Sequence, residues 1–204
     1  LLPQMSYYAQ SALAHHERTG EAANYVIPTG NLGNALACLW ARRLGLPIGE
    51  VVLATNANRV LPEFLASGHD LPQASVSTLA NAMDVGAPSN LERLTQWLPG
   101  IEDLRRAIRA QAVDDARLTA VMQQAEARWG HVVCPHTAAA LAVIEDLRAA
   151  GDTRHWIAVA TAHPAKFDSV VEPRVGHAVP VPPALAALLA RPAQAESLPA
   201  SDEA

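Results

Sequence analysis

Two short apolar runs constrain this chain more than any other feature. Residues 24–27 (NYVI) and 50–56 (EVVLATN) are each too short for an ordinary helix, and the second is rich in β-branched residues. Between them lies a small, polar, glycine-punctuated turn, Pro28-Thr29-Gly30-Asn31-Leu32-Gly33-Asn34. An amphipathic run over 33–44 follows it, closing at Gly45 with Pro47 just beyond. A further helical run spans 58–68, with Pro62 in its first turn. Strand, helix, strand, helix predicts a parallel sheet with right-handed crossovers. The fold class expected is α/β: a three-layer α/β/α open, mostly parallel sheet.

The rest of the chain extends that pattern. Residues 4–18 read as a helix ended by Gly20. Loops run to about residue 76, and 78–97 is helical in parts, interrupted by GAPSN. Helical runs lie near 101–110 and 114–128, and HVVC at 131–134 is strand-like. A strong helix spans 136–151, a buried strand 155–161, and a helix with Pro164 in its first turn opens at 163. After residue 180 the composition turns to Pro and Ala, with a short helix expected at 183–190 and disorder over the last dozen residues. The division expected is one domain over 1–180 and a tail over 181–204. No internal repeat is visible.

Composition excludes several classes. Half of the 204 residues are hydrophobic, enough for a core, and Ala and Leu fill it where aromatics are only 4%. A formal net charge of −5 without a basic stripe argues against a nucleic-acid partner. No apolar run approaches the roughly 18 residues of a membrane span, so no membrane partner is expected. The first residues lack a charged signal-peptide start, and the location expected is cytoplasmic. The chain opens on Leu1 rather than Met and is expected to be a piece of a longer protein or a trimmed one. Cys38 and Cys134 lie in apolar surroundings; one disulfide is possible in number, but buried free thiols are the reading adopted.

The turn at 29–34 has the physics of an anion cradle. Gly30 and Gly33 let the backbone approach a ligand, and the following helix begins with unpaired N–H groups at its positive end. Asn31 and Asn34 can add amide donors or cap that helix. The loop lacks the lysine of a Walker loop. Its G-x-x-G spacing, with Asn56 ending the next strand, departs from the dinucleotide fingerprint. A plain strand-to-helix turn with capping asparagines remains open on these residues alone.

Five blocks in order bear on that choice: PTGNLGNALACLWARRLGLPI, ATNANRVLPEFLASG, TLANAMDVGAPSNLERL, CPHTAAAL and ATAHPAKF. Together they resemble the C-terminal half of the threonine synthase family, pyridoxal-phosphate enzymes of the fold type II, tryptophan-synthase-β-like group. The resemblance runs to about residue 170. It implies a cofactor, pyridoxal 5'-phosphate, whose phosphate is held by Gly30, Asn31, Leu32, Gly33 and Asn34, with Asn31 closest. It implies that the Thr161 hydroxyl meets the pyridine nitrogen. It implies conversion of O-phospho-L-homoserine and water to L-threonine and phosphate, by γ-elimination and then β-addition.

The resemblance also implies a shortfall. The family's Schiff-base lysine lies in an N-terminal F-K-D-like motif, and no such motif occurs here. Arginine supplies 14 of the 15 basic residues, and Lys166, the lysine of H-P-A-K-F, is not at the Schiff-base position. No catalytic residue is therefore assigned, and the chain reads as part of an enzyme, inactive alone. The missing N-terminal half, or self-association, would complete it. The rivals are another fold type II lyase or dehydratase half, and a truncated, non-catalytic paralogue that binds a phosphorylated ligand.

Other polar residues have structural and functional readings side by side. Ser89, Asn90 and Arg93 are candidate contacts to a phosphate-bearing substrate, as is Asp84; Asn90 capping a helix with Arg93 three residues in is the plainer account. His136 and Thr137 open a helix, with a first-turn role for Thr137 set against a lining role. His163 either lines the pocket or fixes its turn. Glu92, Asp114 and Asp115 read as solvated helix positions. No metal site is expected, because Cys134-Pro135-His136 has no second ligand pair at a suitable spacing.

Overall fold

The computed structural model describes residues 1–69 and 72–197. The elements are α1 (Leu2–Thr19), β1 (Ala23–Pro28), α2 (Gly33–Arg43), β2 (Ile48–Thr55), α3 (Val60–Ser67), α4 (Leu91–Trp97), α5 (Ile101–Ala107), β3 (Arg109–Ala112), α6 (Asp115–Trp129), α7 (Pro135–Ala149), β4 (Trp156–Ala158), α8 (Asp168–Val175) and α9 (Pro183–Leu189). Short 3-10 turns occupy Asn81–Met83 and Pro164–Phe167.

The four strands form one parallel sheet in the order β3-β2-β1-β4. Helices cover both faces, and the strand sequences show why. Tyr25, Ile27, Val51 and Leu53 enter one core with α1 to α5, whereas Val26, Val52 and Ala54 enter the other with α6, α7 and α8. Alternate side chains leave opposite faces of a strand, so a run apolar at every position must be covered twice.

Three local expectations need correction. The helical run near 101–110 stops at Ala107, and Arg109–Ala112 is an edge strand. Arg-Ala-Gln-Ala has little β-propensity; pairing of Val52 to Thr55 with Arg109 to Ala112 overrides it. The apolar HVVC stretch at 131–134 is not a strand. Val133 and Cys134 are buried there as the chain enters α7. The strand expected over 155–161 is regular only at Trp156–Ala158, although the Val159 amide still donates to the Val26 carbonyl at 3.0 Å.

Both cysteines are free and buried. Cys38 sits in the core on one side of the sheet, and Cys134 starts α7 on the other, so no bridge joins them. Burial pushes the Cys38 thiol up to about 12, partly offset by the Arg42 charge. The short helix expected near 183–190 is α9. The end of the tail, residues 198–204, lies outside the described residues. No described helix is long and apolar enough to cross a membrane.

Candidate functional site

The strand order defines the site before any side chain does. From β1 the sheet grows to β2 and β3 on one side and to β4 on the other. Helix α2 leaves β1 into one layer, and α7 reaches β4 from the opposite layer. Beyond the carboxyl ends of β1 and β4 the connections diverge, the crevice where open α/β sheets bind ligands. A pocket of about 250 Å³ lies there, lined by the whole 28–34 turn together with Gln4, Ala82, Met83, His136 and Thr161. Loop and Thr161 are over a hundred residues apart in sequence and meet in this pocket.

The loop is built for close approach. The Thr29 amide is held by the Ala54 carbonyl at 2.9 Å, and the Thr29 hydroxyl accepts from the Leu32 amide at 3.2 Å. Leu32 is the one non-glycine residue at positive φ (62°) among the described residues. Left-handed backbone costs a side-chain-bearing residue roughly 1–2 kcal/mol, offset here by burial of Leu32 to 1% exposure in the core. An apolar anchor thus holds a polar turn in a strained conformation. The first intrahelical bond of α2 is Leu36 N to Leu32 O, and no side chain caps the helix. The first-turn amides of Gly33 and Asn34 therefore have no helical partner and line the pocket at the positive helix end.

The two asparagines do not cap α2, contrary to one sequence expectation. The Asn31 Oδ1 accepts from the Ser89 amide at 2.5 Å and from the Ser89 hydroxyl at 3.0 Å. The Asn90 Nδ2 donates to the Asn31 carbonyl at 2.8 Å, and Arg93 Nη1 donates to Asn90 Oδ1 at 3.0 Å. Asn90 precedes α4 but its side chain makes no capping bond. The Asn34 Oδ1 accepts from the hydroxyls of Tyr7 and Tyr8, each at 2.6 Å. These tyrosines escaped the sequence reading; a helix two turns from the chain start gives no sign that it will touch the loop.

A half-buried polar hub backs the loop. Asp84 Oδ1 accepts from Asn56 Nδ2 at 2.7 Å and from the Thr78 hydroxyl at 2.7 Å, and its Oδ2 accepts from the Thr78 amide at 3.0 Å. Asn58 Nδ2 reaches Asp84 Oδ1 at 3.3 Å, and Asn58 also bonds both the amide and the carbonyl of Val76. Both oxygens of Asp84 are thus engaged by its own neighbours. The signal for Asn56 and Asn58 was present: two amides following an apolar strand, both buried to 7% exposure or less.

His136 ties α7 to the same turn. Its Nε2 accepts from the Ala82 amide at 3.2 Å. An amide can only donate, so the ring proton sits on Nδ1, which is buried without a partner among the described residues. Burial pushes this imidazole below its ordinary pKa of 6.5, with the Asp84 charge partly offsetting the shift. The fold therefore favours the neutral ring. Stability from this source is present above the ordinary pKa and is lost as pH falls toward the lower folded value. His177, raised by the Ala178 carbonyl and Glu126, has the opposite sign: its contribution is present below pH 6.5 and lost as pH rises. The expected result is that His136→Gln flattens the fall in melting temperature between about pH 7.5 and pH 5.5. Calorimetry across that range checks it; an unchanged acid-side slope rejects the linkage.

The remaining candidates sort cleanly. Thr161 is exposed and also lines a larger pocket of about 560 Å³ with Trp129, Val133, Thr137, Leu141 and His163. His163 Nδ1 accepts from the Ala165 amide at 3.2 Å, so it fixes its turn while lining that pocket. Thr137 is a first-turn residue of α7, 3.4 Å from the Cys134 sulfur. Lys166 is exposed and lines neither pocket. Asp114 and Asp115 are not merely solvated: Asp114 caps α6 by accepting from the Arg117 amide at 2.8 Å, and Asp115 accepts from the Leu79 amide at 3.1 Å. No group of three or more potential metal ligands occurs among the described residues.

A doubly covered parallel sheet with a glycine turn at its switch point is an architecture of cofactor-binding α/β enzymes. The comparisons make it particular: residues 4–164 match the family described as pyridoxal-phosphate dependent enzyme, and the chain belongs to that family. Within it, residues 137–204 match the threonine synthase C-terminal family. The chain is 35% identical over 202 residues to threonine synthase of Serratia marcescens, covering 98% of this chain and 46% of that protein. The crystal structure of pyridoxal-phosphate-bound threonine synthase from Brucella melitensis superposes with a TM-score of 0.82 at 28% identity, over 94% of this chain and 46% of that one. That of Escherichia coli threonine synthase gives 0.77 at 34% identity, over 93% and 44%. The chain spans less than half the length of these relatives.

Proposed function

We propose that this chain forms the cofactor-phosphate part of a threonine-synthase-type site, acting on O-phospho-L-homoserine to give L-threonine and phosphate. The observation that carries the reading is the switch-point pocket, which joins the 29–34 loop to Thr161. Its donor set fits a phosphate monoester: free helix-start amides, amide side chains, and no carboxylate among the lining residues. In this reading the amides of Gly30, Asn31, Gly33 and Asn34 hold the phosphate of pyridoxal 5'-phosphate, the Leu32 amide being taken by the Thr29 hydroxyl. The Thr161 hydroxyl donates to the ring nitrogen, and such a neutral donor leaves that nitrogen unprotonated. The bound cofactor supplies an electron sink for substrate carbanions. A sink weakened by a neutral partner suits chemistry that must pass through the β and γ carbons.

Lys166 stands outside the pocket, so the amine that anchors the cofactor comes from elsewhere. The part of the relatives that this chain does not span is the expected source, in a cytoplasmic enzyme. Two features support an association. Strand β4 is an apolar edge left half exposed, and the Thr161 pocket is walled by Trp129, Val133 and Leu141. The exposure of Lys166 also favours one second reading, a relative that binds a phosphorylated ligand without turning it over.

The test is to add pyridoxal 5'-phosphate to the purified chain, follow the near-ultraviolet and visible absorbance, and trap with borohydride. The chain alone should give no specific adduct. Together with a polypeptide carrying the first half of a threonine synthase, it should trap the cofactor on that partner and release threonine and phosphate. A specific adduct on Lys166 would overturn the division of the site. Cofactor binding without threonine formation would reject the substrate.

A further inference from the structure

Residues 89–93 approach the loop tip from a distant part of the sequence, and they touch only its acceptor groups. Ser89 gives both its amide and its hydroxyl proton to Asn31 Oδ1, and Asn90 gives an amide proton to the Asn31 carbonyl. Arg93 in turn donates to Asn90 Oδ1, which orients the Asn90 amide with its Nδ2 toward Asn31. A phosphate presents only acceptor oxygens, so loop oxygens facing it repel it. With Oδ1 and the carbonyl of Asn31 both occupied, the free polar group of that side chain is Nδ2, a donor on a residue that lines the pocket.

We infer that Ser89, Asn90 and Arg93 are positioning residues for the anion loop and not contacts to the substrate: they cover the acceptors of Asn31 and lock its amide with the donor end free. The assignment rests on reading that loop as the phosphate site, and it replaces the substrate role expected for these three residues. Ser89 acts on the Asn31 side chain, Asn90 on its backbone, and Arg93 through Asn90.

The test uses the 204-residue chain and pyridoxine 5'-phosphate, which lacks the aldehyde and cannot be captured by Lys166. Binding is measured by calorimetry. Losing one neutral hydrogen bond is worth about five-fold in affinity, and Ser89→Ala should show that loss. The loss should vanish in an Asn31→Ala background, because the partner is gone. Asn90→Asp removes the donor to the Asn31 carbonyl, so its loss should persist in that background. Arg93→Ala should weaken binding and Arg93→Gln, which can still donate to Asn90, should restore it. Equal effects of Ser89→Ala in both backgrounds would mean direct contact with the ligand and overturn the inference. If Gly30→Ala and Asn31→Ala leave affinity unchanged, or the ligand does not bind, the loop reading itself fails. The lock is then judged without ligand: Asn90→Asp should speed hydrogen exchange of the Leu32 and Gly33 amides several-fold, and unchanged exchange sinks it.

Discussion

Gly30→Ala is expected to lower affinity for a pyridoxal-type phosphate by about 100-fold, the loss of two hydrogen bonds to a charged group at about 1.5 kcal/mol each. The reason is steric. A Cβ on Gly30 would fall 2.7 Å from the Met83 Cα and 3.0 Å from the Met83 carbonyl oxygen. Both atoms are backbone, so no rotamer change relieves the clash. The Asn81–Met83 turn behind the loop is itself held by His136 and by the Asp84 hub, so the loop is what must move. A Cβ on Gly33 meets nothing nearer than 3.6 Å. Gly33→Ala should therefore weaken binding far less, which makes the pair a control for general loop damage. Titration of both variants with pyridoxine 5'-phosphate checks the result. Similar affinities for the two would show that the turn does not back the loop.

Asp84→Ala is expected to cost about 2 kcal/mol of stability, through one half-buried hydrogen-bond donor left without an acceptor, at about 1–3 kcal/mol. The donor left without an acceptor is the Thr78 amide, whereas the Asn56 and Asn58 side-chain amides keep the Ala80 and Val76 carbonyls and lose one partner each. For a chain of this size that is a fall in melting temperature of about 4–8 °C. Asp84→Asn should lie between, because it keeps one acceptor oxygen but sets a second donor against the hub. Anion affinity should fall with stability, since Met83 under Gly30 precedes Asp84 directly. Thermal melts of the two variants decide the matter. A drop below about 3 °C for Asp84→Ala would mean that the hub is not what holds this turn.

These expectations show where sequence reading stops. The 29–34 loop was legible because strand, glycine turn and helix are adjacent, and local chemistry dictates each. Asn31 and Asn34 were legible as polar loop residues but not as they act. A capping role is the local choice, and the fold instead occupies their oxygens with Ser89, Tyr7 and Tyr8. Asp84 looked like a residue free to meet a ligand, and its partners lie up to 28 positions away. Strand β3 was misread for the same kind of reason: Arg-Ala-Gln-Ala prefers a helix until β2 offers it a pairing edge.

By itself the sequence determined the parts that short-range physics controls. These are the doubly apolar strands that demand two helical layers, the glycine loop before α2, and a basic set of fourteen arginines with a single lysine. Only the tertiary structure decided the strand order that opens a crevice between β1 and β4, and with it the meeting of the loop with Thr161. The same packing leaves Lys166 exposed and outside that crevice. The physical reason is that periodicity and turn chemistry act over a few residues, whereas hydrogen-bond satisfaction and burial are settled among groups that only the folded chain brings together.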